Sequence, residues 1–186
     1  MSDVVLAALM KRIASGDRGA FAQLYREMES PLYRFVSSRL NDQQRSSDIT
    51  HDVFLQVWRD AGAFEGRSKV RTWLFAMAYR KVVDVYRREN RLVFGEDVPE
   101  SADESPNPEA CVLAMENRDA VRQCLETLSP SHRAAIELTF MEDMSYPEVA
   151  EITGVPEGTV KSRVFHAKQL LLRCLSTKLG MKRDDQ

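Results

Sequence analysis

The sequence predicts an all-α protein: two small helical domains joined by a flexible acidic linker. Apolar residues recur at three- and four-residue steps along most of the chain, and alternating strand patterns are absent. One internal stretch is nearly devoid of large apolar side chains. With 186 residues the chain can hold one medium domain or two small ones. Its content of 44% hydrophobic and 29% charged residues is enough to bury a core and excludes wholesale disorder.

In the first half, Phe21, Leu24, Tyr25, Met28, Leu32, Phe35, Val36 and Leu40 form an amphipathic helical stripe. Pro31 falls inside it, so either the helix kinks there or Ser30 caps a new helix with proline in its first turn. Asp48 to Trp58 reads as the next helix, with Ile49, Val53 and Val57 along one side and Phe54 and Trp58 beside them. Val70, Trp73, Leu74, Met77, Ala78, Val82 and Val85 then make the longest buried face of this half. Trp73 reads as core, with a stacking platform as the alternative.

From Phe94 to Pro108 the character changes. The stretch "GEDVPESADESPNPEA" has three prolines and six acidic residues, and cannot bury enough surface to offset its ordering entropy. It reads as a flexible linker. Charge divides accordingly: residues 1–92 carry net +5, residues 93–119 net −7, and residues 120–186 net zero. The overall −2 therefore hides a basic front and an acidic middle. Helical periodicity resumes near Cys111 and runs to about Leu179. The expected boundaries are 1–92, 93–114 for the linker, and 115–180.

The segment "SYPEVAEITGVPEGTVKSRVFHAKQLLLRCL" carries the strongest local signal. Ser145 and Glu148 have the spacing of a capping box that opens a short helix. Ala150 is small where two helices approach, and Gly154 ends the helix where a left-handed backbone costs glycine nothing. Pro156 and Gly158 start a second helix whose Val160, Val164, Ala167 and Leu171 face inward. A short helix, a glycine turn and a longer helix make a helix-turn-helix. On the second helix the outward arc holds Lys161, Ser162, Phe165, Lys168 and Gln169, with Arg163 at the flank. Such side chains contact phosphates and base edges in a major groove. Phe165 and Leu172 also point outward in this reading and predict a protein contact.

In the first half, "RTWLFAMAYRKVVDVYRRENR" puts Tyr79, Arg80, Val83 and Arg87 on one outward arc. Flat rings beside guanidinium groups suit unstacked bases and their phosphates. The preceding "GAFEGRSKVR" is a basic, glycine-containing loop able to hold an extruded base. The helix before it differs. Asp48 and Asp52 share a face beside Phe54 and Trp58, poor for DNA and suited to a basic protein partner. His51 reads as a surface residue rather than a metal ligand. Cys111, Cys124 and Cys174 lack paired spacing, so they read as core thiols in a reducing cytoplasm, not a disulfide framework. The expectation is no cofactor, no metal and no membrane insertion, since no run of about 18 apolar residues is present.

Together, "FAQLYREMESPLYRFVSSRL", "SSDITHDVFLQVWRDA" and "FEGRSKVRTWLFAMAYRKVVDVYRR" resemble region two of extracytoplasmic-function (ECF) sigma factors, the initiation subunits of bacterial RNA polymerase. "LETLSPSHRAAIELTFMEDMSYPEVAEITGVPEGTVKSRVFHAKQLL" resembles region four. The resemblance covers nearly the whole chain, apart from the linker and the extreme ends. It implies that Asp48, Asp52, Phe54 and Trp58 dock on the clamp helices of the polymerase largest subunit. It implies that Lys69, Arg71, Tyr79, Arg80 and Arg87 read and melt the −10 element. In region four it places Thr159, Lys161, Ser162, Arg163 and Lys168 at the −35 major groove. Further partners it implies are the polymerase flap region and an anti-sigma factor. The family often carries Asn where this chain has Arg80, and a basic residue where it has His166. The residues alone leave two rivals: a free-standing repressor or activator with a sensor domain, and a nucleic-acid enzyme. The latter needs a metal-binding carboxylate cluster, a phosphate loop or a nucleophile–base pair, and none is recognisable.

Overall fold

The computed structural model describes residues 2–89 and 118–178. The expected linker, 93–114, and Cys111 within it lie outside the described residues. Among the described residues every regular element is helical, and the chain divides into two compact units.

The first unit opens with α1 (Asp3–Ala14), which buries Leu6, Leu9, Met10 and Ile13 at helical spacing. Gly16, at φ +85°, turns the chain. Asp17 then caps α2 (Arg18–Leu40) by accepting from the Ala20 N–H at 3.0 Å. The Ala20 amide, then the Arg12 guanidinium 2.7 Å away, hold the Asp17 carboxyl below its ordinary value. α2 runs unbroken through Pro31, which resolves the choice left open at that residue. It ends at Asn41, whose φ of 50° is left-handed.

Helix α3 (Gln43–Asp60) begins earlier than the sequence pattern implies, because Asp42 caps it by accepting from the Arg45 N–H at 2.9 Å. Its buried side holds Ile49, Val53 and Val57 as expected, and also Ser46 and Thr50. Those two hydroxyls donate to the carbonyls of Asp42 (2.6 Å) and Ser46 (2.7 Å), which satisfies them inside the interface. A tight turn at Ala61–Ala63 leads to the loop before α4 (Val70–Glu89). α4 packs on α1, α2 and α3; its Phe75 meets Phe35 edge-on at 5.0 Å. Val85, expected in the core, is only half-buried, because it lies near the end of the packed face.

The rest of the described chain forms α5 (Arg118–Glu126), α6 (Pro130–Ile136), α7 (Tyr146–Thr153) and α8 (Glu157–Lys178); all of it falls in the second unit except Glu151–Gly154, which is grouped with the first. Ser129 caps α6, with Pro130 in the first turn. A π-helical turn, Glu137–Met141, extends α6. Glu137 is buried there and pairs with Arg133 at 3.0 Å. α8 packs on both α5 and α6.

One expectation is corrected. Cys124 on α5 and Cys174 on α8 form a disulfide, with Sγ atoms 2.03 Å apart and Cα atoms 5.8 Å apart. Spacing along the chain does not reveal this pairing, since 50 residues separate the partners and only the packing of α5 on α8 joins them.

Candidate nucleic-acid interface and docking face

In the second unit, Glu148 reaches back to Ser145, its carboxylate accepting from the backbone N–H at 2.9 Å and the hydroxyl at 2.6 Å. Gly154, at φ +71°, closes α7, and Pro156 gives its carbonyl to the Val160 N–H at the start of α8. Val160, Val164 and Ala167 are buried and fix the rotation of α8. That rotation leaves Lys161 exposed and Thr159, Ser162, Arg163 and Lys168 half-buried. The five span about 13 Å of helix at 1.5 Å per residue. The Lys161 ammonium pairs with Glu157 at 2.9 Å, and that of Lys168 lies 4.5 Å above the Phe140 ring.

Phe165 and Leu172 depart from expectation. Both are half-buried rather than outward-facing, as is Leu171. Because α5 and α6 both pack on α8, its apolar arc is wider than one stripe. The exposed apolar side chains are instead Phe140, Met141 and Leu170.

In the first unit, Arg80 and Arg87 are exposed on α4, with Tyr79 and Val83 half-buried beside them. Lys69 is exposed just before the helix, and Arg71 is half-buried in its first turn. Gly66 turns the preceding loop at φ +72°, which only glycine adopts freely. Trp73 falls between its two readings: half-buried, with its ring 5.3 Å from that of Phe64 in the loop.

The α3 face has a different chemistry. Asp48 and Asp52 are both exposed, and each has its own partner: the Gln44 amide at 3.1 Å and the Lys81 ammonium at 3.6 Å. Trp58 and Leu55 are exposed, whereas Phe54 is 2% exposed. Phe21 of α2 meets Trp58 edge-on at 5.2 Å, and Tyr25 meets Phe54 at 4.5 Å. His51 stacks on Tyr25, its Nε2 3.0 Å from the phenol oxygen. Burial, then the charge of Glu29, pushes the Tyr25 phenol up. Leu55 was not singled out from the sequence, and Phe21 and Tyr25 were read only as part of the α2 stripe. Leu55 carried a usable signal, being apolar yet off the Ile49–Val53–Val57 stripe. Among the described residues no group of side chains could hold a metal ion, and no helix is long and apolar enough to cross a membrane.

A family model described as Sigma-70 region 2 matches residues 24–92, and one described as Sigma-70, region 4 matches residues 118–171. The ECF RNA polymerase sigma factor SigK of Mycobacterium tuberculosis is 32% identical over 174 residues, covering 91% of this chain and 93% of its own. Among solved structures, CnrH in complex with the cytosolic domain of CnrY superposes with a TM-score of 0.69 at 25% identity, covering 93% of this chain and 98% of that one. The sigma factor RpoE in complex with the anti-sigma factor NepR from Bartonella quintana gives 0.65 at 25% identity, over 88% and 98% of the two chains. With both regions matched in order and a relative aligned over nearly its whole length, the chain belongs to the ECF RNA polymerase sigma factors.

Proposed function

We propose that this sigma factor divides promoter initiation between its two units in the cytoplasm, leaving all bond chemistry to the polymerase. Region two is assigned to 1–92, the linker to 93–114 and region four to 115–180. The α3 face docks on the clamp helices of the largest subunit. Asp48 and Asp52 meet basic side chains there, Trp58 and Leu55 supply apolar contact, and Phe54 takes part as the buried anchor of that stretch of α3, with Phe21 backing the Trp58 ring.

Lys69, Arg71, Tyr79, Arg80 and Arg87 then take the −10 strand: rings stack on unstacked bases while cations hold phosphates. Capture of those bases drives melting. Arg80, in place of the family's frequent Asn, sets base preference at the flipped position. Thr159, Lys161, Ser162, Arg163 and Lys168 present α8 to the −35 major groove, and this unit also meets the flap region. An anti-sigma factor covers the polymerase-facing surfaces. Supporting this, both solved relatives with high superposition are described in complexes, one of them with a named anti-sigma factor.

One observation supports the proposal: a single chain holds a helix bearing Lys161, Ser162, Arg163 and Lys168 in one unit and an aromatic–cationic helix face in the other. Neither neutralises many phosphates, so the free chain should bind promoter DNA weakly and salt-sensitively. A gel-shift assay with and without core polymerase tests this, with tight binding expected only in its presence. Tight duplex binding by the isolated chain would instead make it a repressor. Transcription from a randomised promoter library then identifies the sequence it reads.

A further inference from the structure

We infer that Asp3 is a positioning residue for −10 recognition, fixing the start of α4 and the basic residues on either side of it. This rests on the assignment of the α4 face to the −10 strand. The first turn of any helix leaves backbone N–H groups without helical partners. Here the residue just before α4 is Lys69, whose ammonium has no acceptor to offer. The Val70 N–H instead donates to the Asp3 Oδ1 at 3.0 Å, across 67 residues of chain. Val70 is fully buried, which hinders water from replacing that acceptor. A carboxylate at this end of α4 also meets the positive pole of the helix dipole.

Asp3 is itself held in place. It lies in the first turn of α1, whose Leu6, Leu9, Met10 and Ile13 are buried. The packing of α1 therefore sets where α4 may begin. Lys69 and Arg71, both assigned to the −10 strand, are the immediate neighbours of the capped Val70 in the chain. Loosening that cap displaces these two cations first, along with the loop that turns at Gly66. The α8 surface lies in the other unit and is not expected to change.

The test uses the full chain and its holoenzyme with core polymerase. Two probes are needed: a fluorescent single strand carrying the −10 sequence that the parent holoenzyme selects from a randomised library, and a −35 duplex. Amide hydrogen exchange at Val70 reports the cap directly. Asp3→Ala should speed that exchange and weaken −10 strand binding about fivefold, the factor expected from loss of one capping bond. Binding of the −35 duplex should not change. Asp3→Asn, which keeps an acceptor oxygen, should restore both exchange and −10 binding. A faster Val70 exchange with unchanged −10 binding overturns the inference and leaves Asp3 a purely structural cap. Equal loss in the Asn and Ala variants, or parallel loss of −35 binding, also overturns it. If the parent holoenzyme fails to bind the −10 strand at all, the underlying assignment falls and takes this inference with it.

Discussion

Phe54 and Trp58 sit about one turn apart on α3, yet the two rings do different work: one fills the core and the other reaches solvent. Truncating Phe54 to Ala removes a buried ring and should cost about 3–5 kcal/mol of stability, read as a lower denaturation midpoint. Trp58→Ala should lower that midpoint less than Phe54→Ala does and weaken core polymerase binding by tenfold or more, the loss typical of an aromatic anchor. Fluorescence anisotropy with core enzyme separates the two effects. On α8, Lys161→Ala should weaken promoter binding about equally across sequences and lower the salt slope of holoenzyme binding by about one. At this scale the sequence was only partly legible. It placed Phe54 and Trp58 together because periodicity reports which face a residue is on, not how far a neighbouring helix covers it. The rings of Phe21 and Tyr25 on α2 supply that cover, and no spacing within α3 contains them.

Among elements, helix starts respond to chemistry that can be titrated. Asp17 favours its charged form in the folded protein, so its contribution is fully present above the ordinary carboxylate value of 3.8. That contribution is lost as pH falls through the lowered folded value. Urea unfolding at stepped acid pH should show this loss, and Asp17→Asn, which caps without titrating, should flatten the low-pH slope. The disulfide between α5 and α8 makes a second prediction. Closing a loop of 50 residues is worth about 4 kcal/mol on the chain-entropy account. Cys174→Ser should therefore lower the unfolding midpoint of the second unit, and added reductant should erase the difference from the parent chain. Most helices could be read directly, because capping residues and three–four periodicity are local. The early start of α3 was missed although its cap, Asp42, is also local; it lies outside the apolar stripe used to find the helix. The disulfide was missed because its partners meet only through helix packing.

For the whole molecule, the proposed function has two weak grips become useful when one body carries both. The second contact is then governed by effective concentration, which falls roughly as the three-halves power of tether length. Doubling the 93–114 segment with a Gly/Ser insertion should thus weaken holoenzyme binding to a two-element promoter about threefold. Binding to a −10 strand alone should not change, and competition with the unmodified promoter complex measures the ratio. The prolines and acidic residues of that segment are the basis for expecting a tether, and it lies outside the described residues. The division of charge along the chain was equally plain, and it reconciles a net charge of −2 with the proposed binding to DNA.

The Cys124–Cys174 bridge has one more consequence. It turns the helix-turn-helix and everything between the two sulfurs into a covalent ring. A protease that nicks the chain at any bond inside that ring produces two fragments that stay fastened together. Such material migrates as one species on a non-reducing gel and separates only when a thiol is added, so the non-reducing band alone overstates how much of α8 remains continuous.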